Sequence, residues 1–353
     1  MSNMGPSRIG QAKRLCGRLR SEFSQPGAGK RLVNQHSETG RFAGSQSRGL
    51  PASNRSTASE ESNPANAGAE GHPPERLMPT CEGPRLERTL RGMLDLPNPA
   101  LVGVIHLPSL PGSPCHQLSM DEITGRALAD GRTLQQAGFD AAVVENFGDV
   151  PFTADALPPA SLAAMAVVAD HVRRETNLRI GINALRNDAR AALGIAVAVD
   201  ASFIRVNVHT GVYATDQGLI DGRADETLRY RKLLGQRIAI LADVHVKHAQ
   251  PISEPDIVRC AKDTAYRGLA DALIVTGSAT GEPVDLGELR RVREAVPDRR
   301  LFVGSGATVE TVAALLAVAS GVIVGTGIKA GGDTSKPIDS TLARAFARAA
   351  GRS

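Results

Sequence analysis

From Leu101 onward the chain alternates eight short runs rich in Val, Ile and Leu with eight amphipathic stretches, and this repeat restricts the fold more than any other feature. Such alternation is typical of parallel sheets, because two parallel strands need a long crossover, usually a helix, between them. The predicted strands are Leu101–His106, Ala141–Asn146, Leu178–Asn183, Ser202–His209, Ile238–Lys247, Ala272–Thr276, Leu301–Gly304 and Gly321–Gly325. The predicted helices lie near residues 120–137, 158–176, 187–199, 224–235, 254–268, 285–296, 308–318 and 338–350.

Eight strand–helix units in about 250 residues have the size of a TIM (β/α)8 barrel. The alternative parallel fold, a doubly wound open sheet, calls for a GxGxxG turn after its first strand. The segment after the first predicted strand, residues 107–114, holds no such turn. We therefore predict one TIM barrel over residues 96–353.

Residues 1–95 differ in composition and are predicted to form a disordered tail outside the barrel. They are rich in Ser, Gly, Pro, Asn and Arg and show no sustained apolar period, so they cannot bury enough surface to offset their chain entropy. They also carry the positive charge of the chain, with 14 Lys and Arg against 9 Asp and Glu, while residues 96–353 hold 27 against 28. A nearly neutral barrel gives no electrostatic reason to expect nucleic acid as a partner.

The tail also bears on the location of the protein. Residues 1–58 carry ten basic and two acidic residues, which is the composition of an organelle transit peptide; a plain disordered tail or a translation start at Met78 or Met93 are the competing interpretations. The four cysteines show no metal-binding spacing and indicate reduced thiols. We expect a cytoplasmic protein, or an organellar one if the tail is a transit peptide. The longest mostly apolar run, residues 312–325, is too short to span a bilayer, so any membrane association is peripheral.

The side chains of the fifth predicted strand fall on two faces, because side chains alternate along a strand. Its apolar face, which we expect to meet the helices, consists of Ile238, Ile240, Ala242, Val244 and Val246. The opposite face then points Asp243, His245 and Lys247 into the barrel, towards its C-terminal mouth. On the third and fourth strands the same alternation predicts that four polar side chains point into the barrel: Asn183, Arg205, Asn207 and His209.

Polar side chains thus gather at the ends of strands one to five, where TIM-barrel enzymes keep their catalytic groups. The structural alternative is an ion-pair network among Glu145, Arg205 and Asp243, with His106 as a core histidine. Stability alone does not require this clustering, so we favour a catalytic site. The candidate catalytic residues are Asp243, His245, Lys247, Glu145, His106, Asn183, Asn207 and His209.

Two glycine-rich segments follow the seventh and eighth predicted strands, at residues 304–308 and 325–329. Glycine lets backbone N–H groups approach an anion, and TIM barrels often bind phosphate with these two loops. Plain turn glycines are the alternative. The candidate phosphate-binding residues are Gly304, Ser305, Gly306, Gly325, Thr326, Gly327 and Lys329.

Two further loops are long enough to be lids, binding loops or contacts between the subunits of a homo-oligomer, which is the expected assembly. One is the segment 106–114, whose three prolines predict a stiff chain. The other runs from Thr210 to Gly222.

The sequence identifies no cofactor. A divalent metal bound by Glu145, Asp243, His209 or His245 is an alternative, because Asp-x-His on one strand face can bring both side chains to one ion. A hydrogen-bonded Asp–His pair is the commoner outcome of that pattern, so a site without metal is favoured.

Seven segments of the barrel strongly resemble the BtpA family, also called the BtpA/SgcQ family. They begin at His106, Val144, Ile182, Arg205, Ala242, Val275 and Gly304 and read HLPSLPGSP, VENFGDVPF, INALRND, RVNVHTG, ADVHVKH, VTGSATG and GSGAT. The match covers essentially the whole barrel and none of the tail. The resemblance implies a fold in the ribulose-phosphate-binding class of TIM barrels, and it carries over no catalytic residues.

The resemblance also brings two functional labels. One is a membrane-associated factor for photosystem I biogenesis in oxygenic phototrophs, and the other is a sugar-metabolism protein linked to sugar-phosphate uptake. Our leading hypothesis is an enzyme that acts on a phosphorylated small molecule such as a sugar phosphate, of isomerase, epimerase or lyase type. Lys247 would then either form a Schiff base or contact phosphate. The alternative is a non-catalytic biogenesis or stabilisation factor for a membrane complex such as photosystem I.

Overall fold

A closed ring of eight parallel strands forms the centre of the computed structural model, which describes residues 94–277 and 282–352. The barrel strands are β1 (Ala100–His106), β2 (Ala141–Glu145), β3 (Arg179–Asn183), β4 (Phe203–Val206), β7 (Ala239–Asp243), β9 (Ala272–Val275), β10 (Arg300–Gly304) and β11 (Gly321–Val324). The helices of the described part are α1 (Met120–Gln136), α2 (Pro159–Glu175), α3 (Ala189–Ala198), α4 (Ala224–Leu234), α5 (Ile257–Lys262), α6 (Leu286–Ala295), α7 (Val312–Leu316) and α8 (Ser340–Ala349). The predicted TIM barrel is confirmed.

The ring closes in the order β1, β11, β10, β9, β7, β4, β3, β2, and then β1 again. In this register His106 pairs with Glu145, and Glu145 pairs with Asn183, so three candidate residues lie at one level. Residues 1–93, which hold nearly all of the predicted tail, lie outside the described residues, as do residues 278–281 and Ser353.

The fourth and fifth barrel strands end earlier than predicted. β4 ends at Val206 rather than His209, and β7 ends at Asp243 rather than Lys247. Beyond these ends Val208 and Val246 leave the barrel wall and pack in a small separate core with Tyr213 and Ile220. The alternation of faces therefore stops before the last predicted residues of both strands.

A three-stranded antiparallel sheet covers that small core. Its strands are β5 (Val212–Thr215), β6 (Gly218–Asp221) and β8 (Ala249–Pro251), in the order β6-β5-β8. The long loop after β4 thus forms a hairpin, and a third strand from the loop after β7 pairs with it. The Tyr213 hydroxyl donates a hydrogen bond of 2.8 Å to the Val244 carbonyl oxygen, which fixes the sheet next to the end of β7.

Apolar side chains along each barrel strand alternate between two cores, one between the strands and the helices and one in the barrel interior, as predicted. Ile180, Ile204 and Ile240 lie in the outer core between strands and helices. The interior core includes Phe203 and Leu241. A Cβ at Gly181 would overlap the Phe203 ring, so this glycine makes room for it. Because the interior is filled by apolar side chains, the polar groups are confined to its C-terminal end.

Within the two described ranges, no helix combines the length and the apolar character needed to cross a membrane. Cys260 is a buried free thiol. Cys115 is disulfide-bonded, so the reduced state predicted for the four cysteines is wrong at this residue, because spacing along the sequence does not reveal which cysteines meet in space. Cys16 and Cys81 lie outside the described residues.

The barrel requires a few residues that precede β1. Leu94 and Leu96 are buried in the interior core, and Asp95 forms a salt bridge of 2.6 Å with Arg179. With a reductant in every sample, so that the Cys115 disulfide does not contribute, we expect deletion of residues 1–92 to leave the melting temperature unchanged. All contacts within residues 94–277 and 282–352 remain after this deletion. Deletion of residues 1–97 also removes both leucines and exposes the core residues that they cover. It should therefore lower the free energy of unfolding by about 3 kcal/mol or more. Calorimetry of the three chains checks this, and a clear drop after the shorter deletion would show that the tail stabilises the barrel.

Candidate functional site

A buried ion pair between Arg205 and Asp243 lies at the C-terminal end of the barrel interior. The two residues belong to the neighbouring strands β4 and β7. The guanidinium donates from Nε to Oδ1 (3.0 Å) and from Nη2 to Oδ2 (2.9 Å), and Asn207 Nδ2 donates to Oδ2 (3.0 Å). Both carboxylate oxygens of Asp243 are therefore hydrogen-bonded, and its side chain is completely buried.

Glu145, at the end of β2, is the second buried carboxylate of the mouth. Asn183 Nδ2 donates to its Oε2 at 2.5 Å. His106 Nε2 lies 3.8 Å from Oε1, and Arg205 Nη1 lies 3.9 Å from Oε2. Both of these distances exceed a normal hydrogen bond. Oε1 thus accepts no hydrogen bond from the described residues, in contrast to both oxygens of Asp243.

His106 is a neutral imidazole at the end of β1. Burial holds its pKa well below the usual value, and the positive charges of Lys329, Lys247 and Arg205 lower it further. Its ring lies 4.6 Å from the Phe147 ring, centroid to centroid. Its Nδ1 is buried and has no hydrogen-bond partner among the described residues. A neutral imidazole beside a carboxylate can take up or release a proton, which fits the predicted acid–base role.

Lys247 lies in the turn after β7, and its amine reaches the mouth although the strand has ended. Burial, followed by the charge of Arg205, lowers the pKa of this amine to about 8, while Glu145 and Asp243 oppose that shift. The amine makes no hydrogen bond or salt bridge with residues 94–277 or 282–352. Near neutral pH it is unprotonated far more often than an ordinary lysine, and the unprotonated form is the one that a nucleophile or base requires.

Arg186, in the loop after β3, belongs to the mouth and was missed by the sequence-based prediction. Its side chain is buried, and Nη2 donates to the Lys247 carbonyl oxygen at 2.7 Å. Burial lowers its pKa, and the charge of Asp216 opposes this more strongly than that of Asp243. Arg186 follows the end of β3, where the alternation along a strand no longer predicts the direction of a side chain. The only signal for it was its position in the family-like segment 182–188.

Hydrogen bonds brace the loops around the mouth. Asn146, directly after β2, accepts from Leu185 N (2.7 Å) and donates to Asp149 Oδ2 (3.1 Å). Asp149 Oδ1 in turn accepts from Leu110 N (2.7 Å). The proline-containing segment 106–114 is thereby tied to the loop after β2, and that loop is tied to the loop that carries Arg186.

The loops after β10 and β11 contact each other and form one wall of the mouth. A Cβ at Gly327 would lie 2.7 Å from the Ala307 carbonyl oxygen, and a Cβ at Gly325 would lie 2.8 Å from His106 Cε1, so both contacts require glycine. Ser305 has φ of 140°, a strained conformation of the kind found at ligand sites. The structure brings the predicted phosphate loops together beside His106, while phosphate binding itself stays a prediction.

Neither loop leads directly into a long helix. The helix expected near residues 308–318 begins only at Val312 and has five residues, and the loop after β11 enters a 3₁₀ turn, Thr326–Ile328. Thr308 N instead donates to the Thr311 hydroxyl (2.9 Å), which forms a local turn before α7. An anion at this wall would therefore rely on loop N–H groups rather than on a helix dipole.

Lys329 is turned away from this wall, contrary to the prediction. Its buried ammonium donates to the Lys336 carbonyl oxygen (2.7 Å) and lies 3.5 Å from Asp130 Oδ2 on α1. The other Asp130 oxygen accepts from Ile338 N (2.8 Å). A buried ammonium needs such partners. Asp130 is nearly two hundred residues away in sequence, so no local sequence pattern indicates this contact. Lys329 fixes the segment after β11 to α1.

The prediction that His209 points into the mouth is wrong. Its Nε2 donates to the Gly268 carbonyl oxygen at 2.8 Å, at the end of the π turn that continues α5, Asp263–Arg267. Because β4 has already ended at Val206, the alternation that predicted an inward direction no longer applies.

His245 is likewise directed away from the mouth, since β7 ends two residues before it. It lines a separate cavity of about 430 Å³ together with Thr276 and Glu288. Burial lowers its pKa, and the charges that oppose this shift belong to Glu288, Asp256 and Glu254 rather than to the carboxylates of the mouth. A role for His245 at the mouth is thus not supported by its position.

The proposed metal ligands do not meet. In residues 94–277 and 282–352, no group of three or more His, Cys, Asp or Glu side chains is placed to hold a metal ion. Both histidines of the predicted set, His209 and His245, lie elsewhere, and Asp243 has both oxygens engaged.

The closed parallel barrel, with ionisable groups gathered at the carboxyl ends of its strands beside two glycine loops, defines a TIM-barrel protein with a candidate site at its mouth. The family model of the BtpA family matches residues 98–352, so the chain belongs to the BtpA family. The resemblance seen in the seven sequence segments is confirmed.

Relatives occur in bacteria, archaea and animals. The chain is 44% identical over 249 residues to "Photosystem I biogenesis protein BtpA" of Synechocystis sp., covering 70% of this chain and 87% of that one. An uncharacterized protein of Thermococcus kodakarensis is 46% identical, with 71% and 95% covered. An uncharacterized mitochondrial protein of Caenorhabditis elegans is 33% identical, with 70% and 91% covered.

Among solved structures, the chain is similar to orotidine 5'-phosphate decarboxylase from Pyrococcus horikoshii, with a TM-score of 0.48 and 13% identity over 72% of this chain and 100% of that one. It is also similar to N-(5'-phosphoribosyl)anthranilate isomerase from Pyrococcus furiosus, with a TM-score of 0.46 and 15% identity over 71% and 98%. At these identities and TM-scores neither likeness bears on the activity of this chain.

The ion pair of Arg205 and Asp243 is expected to hold the mouth together. Asp243→Asn leaves the buried guanidinium without its charge partner and should cost about 3–5 kcal/mol of unfolding free energy. Asp95→Asn, which breaks the exposed pair with Arg179, is the control and should cost about 1 kcal/mol or less. Urea denaturation of both variants measures the difference. Equal, small losses would contradict the structural role of the pair.

The Lys247 amine is expected to react with an acylating reagent with a midpoint near pH 8, as its lowered pKa requires. Lysines exposed to water titrate near pH 10.4. Competitive labelling with acetic anhydride between pH 6 and 11, read by peptide mass spectrometry, measures the midpoint, and exposed Lys232 and Lys262 serve as references. A Lys247 profile that coincides with theirs would contradict the placement of this amine.

Proposed function

We propose that the chain is an enzyme that acts on a phosphorylated small molecule, such as a sugar phosphate, at the C-terminal mouth of the barrel. The observation that carries this proposal is the unequal pairing of the polar groups there. Arg205 and Asp243 satisfy each other, whereas Glu145 Oε1, His106 Nδ1 and the Lys247 amine have no hydrogen-bond partner among the described residues. A network that serves stability alone would pair its buried polar groups.

These underpaired groups supply the chemistry of two reaction types. In an isomerase or epimerase, the Glu145 carboxylate would take a proton from the carbon next to a carbonyl, and His106 would exchange a proton with the carbonyl oxygen. In a lyase, the Lys247 amine would condense with the carbonyl, release water and form a Schiff base that accepts the electron pair of the breaking carbon–carbon bond. Only the lyase forms a covalent bond to Lys247, so reduction of the Schiff base with sodium borohydride, read as a mass increase at Lys247, separates the two types.

The phosphate would bind at the wall formed by the loops after β10 and β11. Support comes from the contact between Gly327 and Ala307, the strained backbone of Ser305 and the closeness of Gly325 to His106. This position would place the phosphate beside the first strand and the rest of the ligand over the mouth.

A second candidate function follows from the name of the Synechocystis relative, a photosystem I biogenesis protein. In that case the barrel would be a non-catalytic biogenesis or stabilisation factor for a membrane complex, and its outer surface would matter more than its mouth. Glu145→Gln keeps the size of the side chain and an oxygen for Asn183. An assembly factor would therefore retain its function with this substitution, and an enzyme would lose nearly all turnover.

We expect ribose 5-phosphate or glycerol 3-phosphate at millimolar concentration to raise the melting temperature. A ligand at one hundred times its Kd contributes about 2.7 kcal/mol, which corresponds to about 5–10 °C for a domain of this size. Thr326→Asp places a negative charge in the loop and should abolish the shift. Thr326→Asn has nearly the same size without the charge and should retain it. We choose Thr326 for the substitution rather than Gly306, because any side chain at residue 306 would overlap the Glu282 backbone.

Differential scanning fluorimetry of the three chains with and without each compound is the measurement. If neither compound, nor inorganic phosphate, stabilises the wild type at 10 mM, the proposed phosphate site is wrong. Equal shifts for Thr326→Asp and Thr326→Asn would place the anion elsewhere.

A further inference from the structure

We propose that the ligand carries a second anionic group, a carboxylate or another phosphate, at the end opposite its first phosphate, and that Arg186 and Lys247 bind this group. This inference rests on the proposed function, since it takes the phosphate wall as the site of the first anion. It adds a binding residue, Arg186, that the catalytic assignment does not use.

The pairing of Arg186 is incomplete for a buried guanidinium. Its side chain has five N–H donors, and its one side-chain hydrogen bond within the described ranges goes from Nη2 to the Lys247 carbonyl oxygen. No carboxylate of these ranges lies within 4 Å of the guanidinium, although its residue is 93% buried, with an exposure of 7%. Buried arginines are normally paired, so the geometry leaves a place for an acceptor.

Lys247 adds a second cation at the same place. Its amine makes no hydrogen bond or salt bridge with the described residues, and the Arg186 charge lowers its pKa further, after burial and Arg205. Two unpaired cations that repel each other are stabilised together by a bound anion. A carboxylate or phosphate matches the planar donors of an arginine and the point charge of a lysine.

The carboxylates of the protein do not fill this role. Asp243 is engaged by Arg205 and Asn207, and Glu145 accepts its hydrogen bond from Asn183. Asp216 interacts with Arg186 electrostatically, but it lies at the exposed tip of the β5–β6 hairpin and forms no salt bridge with it. The remaining partner has to come from the ligand.

The position of Arg186 fixes the shape of that ligand. Arg186 follows β3, and β3 lies four strands away from β10 in either direction around the closed ring. The loop after β10 is half of the phosphate wall. The two anion positions are therefore on opposite sides of the mouth, with Glu145, His106 and the Arg205–Asp243 pair between them. A linear molecule with an anion at each end would span the mouth and hold its reactive carbons over these groups.

The test compares ligands of equal length that differ at one end. Sorbitol 6-phosphate has one anionic end, 6-phosphogluconate has a carboxylate at the other end, and sorbitol 1,6-bisphosphate has a phosphate there. We expect the wild-type chain to bind at least one of the two doubly anionic compounds about tenfold or more tightly than sorbitol 6-phosphate, because hydrogen bonds to charged groups are strong. The better of the two identifies the second anion.

Arg186→Gln should lower the affinity for the better doubly anionic compound about tenfold more than it lowers the affinity for sorbitol 6-phosphate, and Arg186→Lys should retain part of the preference for the second anion. Arg190→Gln, which changes an exposed arginine nearby, is the matched control and should bind like the wild type. Isothermal titration calorimetry gives the affinities, and circular dichroism shows that each variant is folded.

Three outcomes separate this inference from the proposed function. Binding of sorbitol 6-phosphate with no gain from a second anion in the wild type would overturn the inference and leave the phosphate site intact. A gain that persists in Arg186→Gln would also overturn it, because another residue would then bind the second anion. Failure of all three compounds and of inorganic phosphate to bind would overturn the proposed function, and the inference with it.

Discussion

The bidentate pair of Arg205 and Asp243 is the interaction on which the mouth of this barrel depends. It joins β4 to β7 at the level where the apolar interior ends. Removing two charges from water is costly, and here the cost is offset by three hydrogen bonds to one carboxylate. Because Asp243 is saturated in this way, it is not available to neutralise the other positive groups at the mouth.

That saturation explains the properties of the remaining groups. Glu145 is held by Asn183 through the register of β2 and β3 and keeps one oxygen open. His106 stays neutral because burial and nearby cations disfavour its charged form. Arg186 and Lys247 are left as cations without a carboxylate partner. In the proposed function an anionic ligand would satisfy them, and the two glycine loops on the other side of the ring would hold a second anion. The charges, the loops and the order of strands thus fit one kind of ligand.

The sequence was sufficient for the fold and for part of the site. Periodicity predicted all eight strands, and alternation placed Asn183, Arg205 and Asp243 correctly, because each lies within a strand. It failed for His209 and His245, which follow the strand ends, where the chain turns to join the three-stranded sheet. Lys247 reaches the mouth for a different reason, since it is in a turn and its backbone is bonded by Arg186.

The other failures have the same origin. Arg186 was missed and Lys329 was misplaced because both depend on contacts between residues distant in sequence. The partner of Lys329 is Asp130, on the helix after the first strand, and no local pattern reports such a pair. Segments resembling the BtpA family gave the family correctly, but a family assignment does not specify the orientation of a side chain.

The mouth keeps Lys247 as an unpaired amine at the expense of stability, and the melting temperature of Lys247→Met tests this arrangement most directly. The folded-state pKa of about 8 lies below the value of an unfolded lysine, about 10.4, so the charged amine destabilises the folded state below pH 8. The stability of the wild type should rise between pH 8 and pH 10.4, as the folded amine loses its proton before the unfolded one does. Lys247→Met is therefore predicted to melt at a higher temperature than the wild type at pH 7, with the gain shrinking towards pH 10.4, while Lys232→Met on the exposed surface changes little. A Lys247→Met variant that melts at a lower temperature at pH 7 would show that the amine stabilises the mouth as a structural ion-pair partner, and would contradict the account.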